Sequence, residues 1–128
     1  METQITKGIK ITVQPQYEPQ HSNPREHRYL YSYEITIENL SEFTVQLLRR
    51  HWIIVDSNGR KKVVDGNGVI GQQPILRPGQ IHEYSSWCPL STGLGKMSGS
   101  YTMKRLDDDL IFEVQIPNFE LTAPFKLN

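Results

Sequence analysis

Several features are scarce in this 128-residue chain, and each scarcity removes a class of protein. A single cysteine, Cys88, cannot form an internal disulfide and is too few thiols for a zinc knuckle, so a reducing, cytoplasmic setting is expected. The longest apolar run is Trp52-Ile53-Ile54-Val55, far below the ~20 residues of a membrane-spanning helix. Met1 to Lys10 carries no apolar stretch of the signal-peptide kind. Net charge is also missing: fourteen basic residues balance fourteen acidic ones. A general nucleic-acid binder draws its affinity largely from phosphate neutralisation, so that class is disfavoured. Helical patterning is absent too, since no window of a dozen residues carries a clean i, i+3, i+4, i+7 stripe free of Pro and Gly.

What remains is a two-residue period. Tyr29, Tyr31, Tyr33, Ile35 and Ile37 alternate with mostly polar neighbours, the pattern of a half-buried antiparallel strand. Ile9, Ile11 and Val13 repeat it up to Pro15. Leu110, Phe112, Val114 and Ile116 do so up to Pro117, where that strand is expected to stop. Asn58-Gly59 between two apolar runs is a hairpin signal; a two-residue type I′ turn there pairs Asp56 with Lys61 and Ile54 with Val63. Pro78-Gly79 marks another turn before a strand from about Gln80 to Trp87, and Leu106–Leu110 reads as a connection. Gln14 to Arg25, with three prolines, reads as a surface loop or bulged edge. Strands at intervals of roughly ten residues predict one all-β domain over residues 1–128. The expected fold is an antiparallel sandwich of about seven to eight strands.

Gly66-Asn67-Gly68-Val69-Ile70-Gly71 spells G-x-G-x-x-G. In a dinucleotide-binding fold such glycines bring the backbone to a pyrophosphate at a helix N-terminus. Here Pro74 and Pro78 follow at once and no βαβ unit surrounds the loop, so a Rossmann reading fails. An anion-binding nest of backbone amides remains available. The segment Val45–Gln80 is net +4, and Arg49, Arg50, Lys61, Lys62 and Arg77 are the candidate neutralising residues beside Gly66, Asn67, Gly68 and Gly71. Short glycine matches arise often by chance. A purely structural role, glycines for a sharp crossing between sheets and solvated basic faces, carries more weight.

Other chemistry is thinly supported. His21, His27, His51 and His82 are dispersed, and Asp107-Asp108-Asp109 lacks the glycine and terminal glutamate of a calcium loop. No metal or cofactor is therefore expected. Neither Cys88, followed by Pro89, nor Ser85 and Ser86, outside any G-x-S-x-G elbow, has a base placed by the sequence, so no catalytic residue is assigned. Tyr29, Tyr31, Tyr33, Trp52, Tyr84, Trp87 and Tyr101 read as core more readily than as stacking platforms.

Ordered blocks along the whole chain carry a family resemblance: Tyr31–Asn39, Val45–Trp52, Val64–Pro74, Leu76, Pro78-Gly79, Tyr84–Ser86 and Met97–Tyr101. In these the chain resembles the bacterial ApaG proteins. Trp87 stands where that family tends to have glycine, and Gly93 where it tends to have proline. The resemblance implies a fibronectin type III-like, immunoglobulin-like β-sandwich and a proposed pyrophosphate role for Gly66, Gly68 and Gly71. It also implies a link to cobalt resistance and magnesium efflux, and genes that neighbour one for a diadenosine tetraphosphate hydrolase. Similar domains in eukaryotic F-box proteins and a polymerase-interacting protein imply a protein-interaction module. The expectation is thus a non-catalytic, monomeric or weakly oligomeric binding module. It would meet a protein partner or a phosphate, pyrophosphate or nucleotide ligand at Gly66–Gly71. The alternative is a protein or hydrolase handling dinucleoside polyphosphates.

Overall fold

A computed structural model describes residues 1–124; residues 125–128, counted in the expected single domain, lie outside the described residues. Nine strands follow one another: β1 (Glu2–Thr6), β2 (Ile9–Tyr17), β3 (Tyr29–Asn39), β4 (Val45–Asp56), β5 (Lys61–Asn67), β6 (Ile75–Leu76), β7 (Ile81–Leu90), β8 (Leu94–Arg105) and β9 (Leu110–Thr122). One antiparallel sheet runs β1-β2-β3-β7 and the other β5-β4-β8-β9, with β6 also paired to β4. The two layers form the expected sandwich. The count exceeds seven to eight because the polar β1, which buries none of its five residues, and the two-residue β6 leave almost no hydrophobic signal.

The pleat converts alternation into a core. Tyr29, Tyr31, Tyr33, Ile35 and Ile37 all turn inward from β3, against Leu47 and Trp52 of β4, Tyr101 and Met103 of β8, and Val114, Phe119 and Leu121 of β9. Each such side chain taken fully out of water stabilises the fold by about 1.5–3 kcal/mol. Both prolines expected to stop strands are instead absorbed. Pro15 pairs with Tyr33 beyond the end of β1, where its missing N–H deprives no neighbour. Pro117 lies in a register shift, where Met97↔Phe119 gives way to Gly99↔Ile116, so the ladder tolerates it. The stretch after Tyr17 makes two short 3₁₀ turns, Pro19–His21 and Pro24–Glu26.

The Asn58-Gly59 hairpin is real but its register is one residue off the type I′ expectation. Val55 pairs with Lys61, Ile54 with Lys62 and Ile53 with Val63. Only Gly59 takes positive φ, and its N–H donates to the Asp56 carbonyl at 2.9 Å, so the loop is a type I turn closed by a left-handed glycine. A one-residue slip exchanges faces. It places Lys62, not Val63, opposite Ile54 and turns Lys61 to the other face with Val55.

Candidate functional site

The two sheets do not close equally along their sides. β9 packs on β1 and β2. On the other side, β5 and β7 are the free edges, and a cleft of about 340 Å³ opens between them. Parity of the strands decides which side chains enter it. A bulge between Leu47 and Arg49 shifts the phase of β4, so Trp52 stays buried two residues after Arg50 while Arg49 is exposed. Arg50, Trp52 and Ile54 therefore line the cleft, joined from β5 by Lys62 and Val64 and from the opposite sheet by Tyr33, Tyr84, Ser86 and Cys88.

The glycine hexad roofs this space without launching a helix. β5 and β6 both pair with β4, so residues 68–74 are an excursion out of a single broken edge strand rather than a crossing between sheets. Val69 is 1% exposed and anchors the excursion in the core, while Val69, Ile70 and Gly71 line the cleft. Gly68 has φ +63°, and a Cβ there would lie 2.2 Å from the Gln72 carbonyl oxygen. The Gly68 N–H donates to Leu48 O at 2.8 Å, Val69 N–H to Gln72 O at 2.8 Å and Gln72 N–H to Val69 O at 3.0 Å. Two amides of the expected nest, those of Gly68 and Val69, and that of the adjoining Gln72 are thus already used inside the protein.

Arg50 holds the roof in place. Its Nη1 donates to the carbonyls of Asn67 at 3.0 Å and Gly68 at 2.9 Å. Its guanidinium lies against Gly66, where a Cβ would come within 2.7 Å of Cζ. Neither Nε nor Nη2 has a hydrogen-bond acceptor among the described residues, and neither Arg50 nor Lys62 has a carboxylate within ion-pair distance there. The facing wall is hydroxylic. Tyr84 and the wholly buried Tyr101 share a hydrogen bond between their phenols, linking the two sheets. Burial raises the Tyr33 phenol and more strongly that of Tyr84, with the nearby Arg50 acting against the rise in both. Burial likewise pushes the Cys88 thiol up to about 11, with Lys62 opposing. At neutral pH the cleft therefore presents neutral phenols and a neutral thiol to two uncompensated cations.

The sequence candidates separate accordingly. Arg50, Lys62 and Gly71 line the cleft, and Gly66, Asn67 and Gly68 frame it through Arg50. Arg49 is exposed and donates to Asn67 Oδ1 at 2.8 Å, near the His51–Asp65 pair. Lys61 borders a neighbouring groove with Arg60 and Asp56, and Arg77 sits in the turn after β6. Tyr33, Tyr84 and Trp52 were legible as core and Ser86 as a strand serine without a base; the signal for their second role is that alternation places them on the inner faces of the sheets, beside the open side. Trp87, read as core with these tyrosines, instead points outward, 53% exposed with His21 edge-on to its ring, because the pleat of β7 sets it on the face opposite Tyr84 and Ser86.

Together these define a two-sheet, fibronectin type III-like β-sandwich with a cationic, tyrosine-walled cleft along its open side. Residues 19–105 match the ApaG domain, and the chain belongs to the ApaG family. It is similar to Protein ApaG of Brucella canis, 48% identical over 124 residues that cover 97% of this chain and 95% of that one. Protein ApaG of Anaeromyxobacter dehalogenans is 46% identical across the full length of both. Among solved structures, the putative ApaA protein of Bordetella pertussis superposes with a TM-score of 0.88 at 40% identity, covering 91% of this chain and 94% of the other.

Proposed function

We propose that this chain is a non-catalytic binding module whose open-side cleft receives a small phosphate- or pyrophosphate-bearing ligand. One observation carries the reading: half-buried Arg50, with Nε and Nη2 uncommitted among the described residues, and the exposed Lys62 face a phenol-lined cleft with no partner carboxylate among those residues. Cations that face a cleft without counter-ions, one of them with free guanidinium N–H groups, favour an anion. The glycine roof acts through Arg50 rather than through the amides of Gly68 and Val69, which are occupied. The non-catalytic assignment rests on the nucleophiles present, since the Cys88 thiol is held protonated and Ser86 has no histidine or carboxylate beside it in the cleft lining.

The test is an amide NMR titration of the full chain with orthophosphate and pyrophosphate, extended to magnesium, cobalt and diadenosine tetraphosphate. Saturating, submillimolar shifts localised to residues 67–72, weakened about tenfold in Arg50→Gln and unchanged in Arg49→Gln, are expected. Equal behaviour of the two variants refutes the cleft, and turnover of diadenosine tetraphosphate replaces a module with a hydrolase. The exposed Trp87 and Ile81 on the outer face of β7 favour a protein partner as a second reading. Loss of a purified partner on Trp87→Ser, with folding intact, is its test.

A further inference from the structure

The cleft is built for more than an inorganic ion. Across β4 and β5, Arg50 pairs with Gly66, Trp52 with Val64, and Ile54 with Lys62. The two cations therefore stand at the ends of an apolar row, four residues apart along β5, or about 13 Å of strand. Met97 and Val69 complete the apolar lining, while Tyr33 and Ser86 place hydroxyls opposite the row. An orthophosphate or pyrophosphate at Arg50 leaves that row wet. Cavities lined mainly by apolar groups with a few placed polar ones suit organic ligands. The volume, about 340 Å³, lies near the small end of the ~300–1,000 Å³ range of ligand sites. A dinucleoside polyphosphate, with two nucleosides and a phosphate chain, overfills it.

We propose, resting on the anion reading above, that the ligand is a compact organic phosphomonoester. Its phosphate meets the uncommitted side of Arg50, beneath the roof, and its apolar group lies along Trp52 and Val64 toward Lys62. The dianionic head suits the uncommitted Nε and Nη2 of Arg50 better than a carboxylate does, because it brings more charge and more acceptor oxygens to the same guanidinium. Binding is non-covalent and no bond changes.

The experiment compares phenyl phosphate, orthophosphate, pyrophosphate and benzoate by NMR titration of the full chain and of Val64→Ser, with Val64→Ala as the milder variant should Val64→Ser not fold. Phenyl phosphate is expected to bind about tenfold tighter than orthophosphate or benzoate, the gain of laying a ring on apolar surface. The Val64 variant should erase that gain and leave orthophosphate unchanged. Pyrophosphate equalling phenyl phosphate overturns the organic ligand while leaving the anion reading intact. Benzoate equalling phenyl phosphate overturns the choice of phosphate, and an unaffected phenyl phosphate affinity in both Val64 variants overturns the placement. Failure of all four ligands sinks both readings together.

Discussion

The two long sides of the sandwich solve one packing problem differently. On the closed side, β9 lies against β1 and β2, and Gln115 N–H donates to Thr6 Oγ1 at 3.2 Å. Buried Val114, Ile116 and Leu121 fill the space between the layers there. On the open side, β5 and β7 leave a gap, and the residues facing it are mixed: half-buried Val64 and Tyr84 with Arg50 and Lys62. Apolar burial welds one side; a tethered loop and two phenols span the other. The difference shows where this fold exchanges stability for surface that a ligand can reach.

The largest effect expected on that contrast comes from the roof itself. Gly68→Ala places a methyl 2.2 Å from a backbone oxygen at positive φ, and neither atom can move without breaking the Val69–Gln72 turn. A loss of about 2–4 kcal/mol is expected in chemical denaturation. Gly71→Ala shares the positive φ but meets nothing within 4 Å, so about 1 kcal/mol is expected. Equal losses at both positions would mean that the roof is not held by close packing at Gly68.

The second comparison keeps the residue constant and changes the side. Val114 is fully buried on β9, whereas Val64 is half-buried beside the cleft. Removing two methyl groups should cost about 2–3 kcal/mol at Val114, where a cavity is left, and under about 1 kcal/mol at Val64. Urea denaturation of Val114→Ala and Val64→Ala measures both, and a cost at Val64 as high as at Val114 would show the open side to be welded too.

Much of this was readable from residue order. Tyr29–Ile37 declared its inward face by alternation alone, and the prolines after Gly71 excluded a helix there before any coordinates. Strand ends were not readable at Pro15 and Pro117, because what a proline costs depends on whether a neighbour needs its N–H, and neighbours are a tertiary fact. The site was half legible for a similar reason. Arg49 and Arg50 are adjacent cations of equal standing in the sequence, and only the bulge after Leu47 turns one of them inward. Lys61 and Lys62 are separated by the hairpin register, fixed by a single left-handed glycine. Period-two patterns specify faces, but one extra residue inverts them, and polar residues carry no hydrophobic signal to reveal it.

The smallest of the three effects tests a staple common to both sides. Asp56, at the end of β4, is buried and accepts from the N–H of Ser57 at 2.9 Å, the N–H and Oγ of Ser91 at 2.8 and 2.7 Å, and the hydroxyl of Thr92. It thereby ties the β4–β5 hairpin to the β7–β8 connection, bridging the edges of the open side through a charged group. Burial alone would raise its carboxyl, but the hydrogen bonds of Thr92, Ser91 and Ser57 outweigh it and hold the carboxyl below the ordinary 3.8. A lowered folded pKa stabilises above the unfolded value and ceases to do so as pH falls through the folded one. Asp56→Asn is therefore expected to cost about 2 kcal/mol at neutral pH. In paired melts, the gap between the two proteins should narrow below the ordinary carboxylate pKa, as pH falls through the lowered pKa of the folded protein. A gap that persists undiminished into acid would mean that shape rather than charge makes the staple, and that the open side is bridged by neutral contacts alone.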